Sequence, residues 1–122
     1  MGARILVIDD EEYIRRMIGF VLEQSGFEVI QASTGEEGLA KMRAWRPEAV
    51  TLDLMMPEQS GLELLNAKQA DPDIRDIPTI VVTAVGFKAD LDEAHKLGAT
   101  MTLNKPFSSR QLVDTIRSVL KL

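Results

Sequence analysis

Asp53 closes a short apolar run, Ala49-Val50-Thr51-Leu52, and Asp9 and Asp10 close an earlier run of the same kind, Ile5-Leu6-Val7-Ile8. A carboxylate at the tip of a buried strand is costly unless something neutralises it or uses it. If the two runs are neighbouring strands, three acids meet at one edge of a sheet. Two like charges about 4 Å apart repel by about 4 kcal/mol at an effective dielectric near 20, so such a cluster demands cations. Lys105, just after the apolar run that ends at Leu103, supplies one. A hard divalent ion would supply the rest, and Mg²⁺ suits a site of a few carboxylates because it keeps several of its waters. The same set suits phosphoryl transfer: cations neutralise phosphoryl oxygens, the Thr83 hydroxyl donates to one of them, and a carboxylate attacks phosphorus. Asp9 and Asp10 share a loop and are assigned to the metal. Asp53 stands alone on its run and is assigned as the nucleophile.

Placing these groups together requires particular elements. Arg4 to Ile8 is too short for a helix and rich in branched residues, so it reads as a buried strand. Ile14, Met17, Ile18, Val21 and Leu22 then repeat at helical spacing, with Asp10 as the expected cap and Gly26 as the stop. Phe27 to Ala32 reads as a second strand. Thr34 and Glu37 have capping-box spacing and open a helix running to about Trp45. Ala49 to Asp53 is the third strand. Ser60 and Glu63 open the next helix, which ends near Ala70 before the turn Asp71-Pro72-Asp73. Pro78 to Thr83 is the fourth strand, Ala89 to Leu97 a short helix closed by Gly98, and Thr100 to Leu103 the fifth strand. Ser108 and Gln111 cap a last helix whose apolar face is Leu112, Ile116, Val119 and Leu120.

Five strands alternating with five helices imply an α/β fold, a doubly wound parallel sheet covered on both faces. Of the two common doubly wound orders, 2-1-3-4-5, the flavodoxin-like (βα)5 arrangement, suits five strands. It sets the first strand beside the third and brings Asp9 and Asp10 to Asp53. Ligands in such sheets bind beyond the carboxyl ends of the strands. Asp9, Asp10, Asp53, Thr83 and Lys105 all fall there.

Composition sets the outer limits. The chain has 122 residues, 45% hydrophobic and 27% charged, which fits a single globular domain over residues 1–122. A net charge of −5 argues against direct nucleic-acid binding, which needs a basic footprint. There is no cysteine, hence no disulfide framework. No apolar run is long enough to span a bilayer, and the N-terminus lacks a signal-peptide pattern. The expectation is a cytoplasmic domain with no membrane association. His95, the only histidine, reads as an ordinary helix residue, and Trp45 as packing at a helix end.

The sequence resembles a known family, the response-regulator receiver domains of two-component signalling, of which the chemotaxis response regulator is an example. The resemblance is carried by VIDDEE around Asp9 and Asp10, LDLMMPEQSG around Asp53, VTA around Thr83 and NKPF around Lys105, in that order along essentially the whole chain. It implies that a sensor histidine kinase or phosphotransfer protein presents a phosphohistidine and that Asp53 takes the phosphoryl group. It implies Mg²⁺ held by Asp10, Asp53 and the backbone carbonyl of Met55, with Asp9 contributing partly through water. Thr83 and Lys105 would hold the phosphoryl oxygens. It implies a cis Lys105-Pro106 bond and a downstream partner on the face of helix 4, strand 5 and helix 5. It further implies that the domain promotes only its own phosphorylation and dephosphorylation.

Two departures from the family pattern stand out. Thr102 occupies a position where an aromatic ring usually switches, so the expectation here is that the Thr83 to Lys88 loop carries most of the change. Met55 and Val85 are both apolar and cannot orient water, which predicts slow loss of the phosphoryl group. One alternative is a degenerate receiver acting as a phosphorylation-independent interaction module. Another is a Mg²⁺-dependent aspartyl phosphatase, but that class places its nucleophile in an Asp-x-Asp ending the first strand, a spacing Asp9-Asp10-Glu11 lacks. A flavodoxin-like flavin carrier would need a phosphate loop after the first strand, where Asp9-Asp10-Glu11-Glu12 would repel it.

Overall fold

The structure is a computed structural model that describes residues 2–55, 61–84 and 88–122. In chain order the elements are β1 (Arg4–Ile8), α1 (Glu12–Gln24), β2 (Glu28–Ala32), α2 (Gly35–Trp45), β3 (Ala49–Asp53), α3 (Gly61–Gln69), β4 (Thr79–Ala84), α4 (Lys88–Lys96), β5 (Met101–Lys105) and α5 (Ser109–Leu120). The strands form one parallel sheet in the order β2-β1-β3-β4-β5, as the alternation predicts. None of the described helices is long and apolar enough to cross a membrane.

Side-chain alternation along each strand divides the core in two. Leu6, Ile8, Val50, Leu52 and Val81 point to the face covered by α2, α3 and α4, where they meet Leu39, Met42, Leu64, Leu65 and Ala94. Ile5, Val7, Ala49, Ile80, Val82 and Leu103 point to the other face and meet Ile18 and Leu22 of α1 and Leu112, Val113 and Ile116 of α5. Asp9 lies two residues beyond Val7, Asp53 four beyond Ala49 and Lys105 two beyond Leu103. The period of two therefore carries all three to the α1/α5 side of the sheet's carboxyl edge.

Where the termini differ from expectation, the backbone gives the reason. Asp10 does not cap α1. The N-cap is Glu11, without a side-chain cap bond, and its N–H donates to Asp9 Oδ1 at 2.9 Å. At α2, Thr34 Oγ1 accepts from the Glu37 N–H as expected, but the Glu37 carboxylate reaches back to Ser33 N rather than to Thr34. At α5 both halves of the Ser108/Gln111 box are present. Ser60, the expected cap of α3, lies outside the described residues. The fifth strand runs on to Lys105 because Thr83 and Ala84 continue to pair with Asn104 and Lys105 after the apolar pattern has ended. Met17, read as part of the buried stripe of α1, is 36% exposed, with Tyr13 and Phe20 beside it on the helix's outer side. Trp45 packs against the core at the end of α2, and the Arg4 guanidinium lies over its ring at 5.6 Å while donating to the Arg46 carbonyl.

Two local features bear on the end of β3. Gly61 opens α3 so close to the strand that a Cβ there would come within 2.7 Å of the Leu54 Cα and 2.8 Å of the Asp53 carbonyl oxygen. Its N–H donates to Leu54 O at 3.0 Å. Gly61→Ala must therefore push α3 away from β3, and we expect a loss of about 1–3 kcal/mol in denaturant unfolding, as for other overpacked sites. Thr51 is fully buried, and its hydroxyl has no hydrogen-bond partner among the described residues. Thr51→Val keeps the volume and removes the unpaired group, so the unfolding midpoint should rise, by about 1 kcal/mol of stability.

Candidate functional site

The parallel register fixes which strand ends are level. Ile8 pairs with Leu52, so Asp9 stands beside Asp53, and Asp53 in turn pairs with Val82, one residue before Thr83. Ala84 pairs with Lys105 at the far side of β4. The topology thus brings five sequence-selected residues to one edge, and side-chain geometry gathers four of them tightly. One carboxylate oxygen from each of Asp9, Asp10 and Asp53 lies within 4.8 Å of the others. Lys105 reaches past β4 to place its Nζ 3.5 Å from Asp9 Oδ2 and 3.7 Å from Asp53 Oδ2. Thr83 is buried at the end of β4.

Asp9 and Asp53 are held alike. Asp9 Oδ1 accepts the N–H of Glu11 at 2.9 Å, and Asp53 Oδ1 accepts the N–H of Met55 at 3.0 Å. Each is a bond to the backbone two residues on, which fixes both the side chain and the loop behind it. In both cases the second oxygen, Oδ2, is the one that faces Lys105. The two aspartates differ from Asp10 in burial: they are 1% and 4% exposed, whereas Asp10 is half-buried. Met55 brings its backbone to the Asp53 carboxylate and turns its side chain out to solvent. The Lys105-Pro106 peptide bond is cis.

The electrostatics are unbalanced. Burial pushes the Asp53 carboxyl up to about 6, opposed by the Met55 N–H; Asp9 raises it further, Lys105 lowers it, and Asp10 raises it. Three carboxylates and one ammonium leave the cluster about two charges negative. All donors on offer are hard oxygens, which suits Mg²⁺ or a similar ion and excludes a thiolate-type centre. The residues present therefore fit a divalent hard cation.

The family profile described as "Response regulator receiver domain" matches residues 5–117. The chain belongs to the response regulator receiver domain family. Among curated relatives, the polar-differentiation response regulator DivK of Brucella anthropi is 32% identical over 120 residues, covering 98% of both chains. The phosphate regulon transcriptional regulatory protein PhoB of Escherichia coli is 36% identical over 121 residues, which is 99% of this chain. This chain spans only about half of PhoB, 53% of its length. Among solved structures, the Vibrio cholerae chemotaxis protein CheY4 superposes with a TM-score of 0.92 at 31% identity, covering 98% of this chain and 99% of that one. A response regulator from Chloroflexus aurantiacus superposes with a TM-score of 0.93 at 28% identity over the full length of both.

Not every expectation for the receiver domain falls on described residues. Val85 and most of the Thr83 to Lys88 loop lie outside them. Thr102 is half-buried on β5, in register with Val81 of β4. His95 is an exposed residue of α4 whose Nδ1 lies 3.3 Å from the Ala99 carbonyl oxygen. The residue that sequence reasoning missed is Arg15, whose guanidinium Nη1 donates to the Asp9 carbonyl at 2.8 Å. Its position among the polar residues of α1 gave no signal, since only the folded loop brings that carbonyl to it.

The raised Asp53 carboxyl has a consequence for stability. Between the ordinary carboxylate value of 3.8 and about 6, Asp53 is more protonated in the folded protein than in the unfolded chain. Its contribution to unfolding free energy therefore falls as pH rises through that window, and above it the ionised Asp53 is a standing cost. In metal-free protein, Asp53→Asn should be more stable than wild type at pH 7, by on the order of 2 kcal/mol, and the gap should close towards pH 4. Thermal melts of both proteins across that range check this.

Proposed function

We propose that residues 1–122 form a phosphoacceptor unit in which Asp53 takes a phosphoryl group from the phosphohistidine of a sensor histidine kinase or phosphotransfer protein. The observation that carries this reading is the shared arrangement of Asp9 and Asp53. Each ties Oδ1 to the backbone and turns Oδ2 towards the same ammonium group. Asp53 thus has one oxygen fixed and one directed at the place where phosphoryl charge would be neutralised. In the transfer, an Asp53 oxygen attacks phosphorus, the phosphorus–nitrogen bond breaks, and the histidine nitrogen keeps the electron pair. Lys105 stabilises the charge on the phosphoryl oxygens, and the Thr83 hydroxyl donates to one of them.

Asp9, Asp10, Asp53 and the backbone carbonyl of Met55 are our candidates for holding Mg²⁺. When bound, the ion would offset the carboxylate repulsion and neutralise the incoming phosphoryl charge. The chain's own contribution is to hold Asp9 and Asp53 apart from water and in register before the donor arrives. At pH 7 Asp53 lies above its raised titration point and is ready as an anion.

We assign the donor's approach to the α1 side of this edge. Tyr13 and Phe20 are largely exposed there, with Met17 between them. A cavity of about 390 Å³ lined by Ile14, Met17, Lys105, Pro106 and Phe107 continues from that stripe to the pocket. This supports a protein donor with an apolar contact surface rather than only a small molecule. We assign the downstream partner to the face of α4, β5 and α5, and the reaction to the cytoplasm. On this reading the domain turns over only its own phosphoryl group.

Incubation with acetyl phosphate and Mg²⁺, followed by intact-mass spectrometry, tests the assignment. Wild type should gain a single phosphoryl group and Asp53→Asn none. Unmodified wild type would point to the phosphorylation-independent module, whereas rapid phosphate release from simple monoesters would point to the phosphatase.

A further inference from the structure

Arg15 of α1 lies outside the acid cluster, yet one of its two described hydrogen bonds reaches the loop that carries Asp9 and Asp10 and the other reaches β2. Nη1 donates to the Asp9 carbonyl at 2.8 Å, and Nε donates to Gln31 Oε1 at 3.2 Å. The Asp9 carbonyl belongs to the peptide that joins Asp9 to Asp10. Fixing that peptide plane fixes the direction in which the Asp10 side chain leaves the backbone. The same loop is pinned from behind, where Asp9 N donates to Ala32 O at 3.2 Å.

Gln31 is itself braced. Its carbonyl accepts from Lys41 Nζ of α2, and Lys41 pairs with Glu37 at 3.1 Å. Its amide lies against Gly19 of α1, where an added Cβ would come within 3.2 Å of Gln31 Nε2. Three elements, α1, β2 and α2, therefore converge on the orientation of one guanidinium, and that guanidinium has the Asp9 carbonyl as its second target.

We infer that Arg15, oriented by Gln31, is a positioning residue that holds the Asp9–Asp10 peptide so that the acidic pocket is preorganised for a divalent cation. The inference rests on the metal-binding reading above. Arg15 acts through the backbone and touches neither the ion nor the phosphoryl group. Its positive charge alone would disfavour a cation, so a purely electrostatic part predicts the opposite sign. Groups that orient the ligands of a metal site typically change metal affinity by about 10–100-fold when removed.

The test is a calorimetric titration of the full chain with Mg²⁺, alongside denaturant unfolding without metal. Arg15→Met and Gln31→Ala should each weaken Mg²⁺ binding, by about tenfold for the former and less for the latter. Arg15→Lys keeps the charge but not the fork and should recover only part of the loss. The double variant should bind no worse than Arg15→Met alone, because the two residues act in one chain of contacts. Unchanged or tighter Mg²⁺ binding in folded Arg15→Met overturns the inference, as does full affinity in Arg15→Lys. A fall in unfolding stability with unaltered affinity also overturns it. Should Arg15→Met not fold, Gln31→Ala decides alone, full affinity counting against. Wild-type protein that binds no Mg²⁺ would remove the metal-binding reading itself, whereas normal wild-type binding with indifferent variants removes only the role of Arg15.

Discussion

Mutual repulsion among Asp9, Asp10 and Asp53 is the constraint to which the rest of the molecule answers. Carboxylate oxygens within 4.8 Å of one another would ordinarily be driven apart or protonated. They are kept together because Asp9 and Asp53 occupy the ends of adjacent central strands, whose positions the core dictates. Lys105 offsets part of the charge from the opposite side of β4. Burial is the main cause of the rise of the Asp53 carboxyl to about 6, and the neighbouring Asp9 and Asp10 add to it while Lys105 opposes them. A receiver domain is thus built with a deficit of positive charge at its acceptor edge. That deficit favours a hard divalent cation at this edge.

The sheet makes the deficit tolerable. Branched and leucine side chains fill both faces of β1, β3 and β4, and two separate clusters clamp the strands between α1/α5 and α2/α3/α4. Strand ends in such a sandwich are held by the core on both faces, which limits how far the backbones of Asp9 and Asp53 can separate. Gly61 shows the same economy of space: α3 begins against the backbone of Asp53 and Leu54, where a larger residue has no room. Rigidity behind the pocket and polarity at its mouth are two results of one arrangement.

Outside the pocket, the polar contacts of α1, β2 and α2 form a connected set. Glu37, Lys41, Gln31 and Arg15 lead from the start of α2 to the Asp9 carbonyl. Most of these residues are partly exposed and would pass individually for surface decoration. Together they tie the loop bearing two of the acids to two other elements. Surface ion pairs such as Glu37–Lys41 contribute little stability on their own, which makes their place in this chain of contacts the more informative property.

The sequence alone determined the alternation of strands and helices, the parallel order and the edge at which the acids gather. These depend on the period of apolar residues and on the restricted handedness of crossovers, both of which are local or nearly so. It also singled out Asp9, Asp10, Asp53, Thr83 and Lys105 as the candidate groups, since they occur at strand ends and in recognisable surroundings. Only the tertiary structure decided the local details: that Glu11 rather than Asp10 stands at the N-cap of α1 and makes no side-chain cap bond, that Asp9 and Asp53 each spend one oxygen on the backbone, and that Met17 stands at the surface. Arg15 belongs with these. A guanidinium on a helix has no assigned acceptor until β1, β2 and α1 have docked, because a backbone carbonyl leaves no mark in the residue types that surround it.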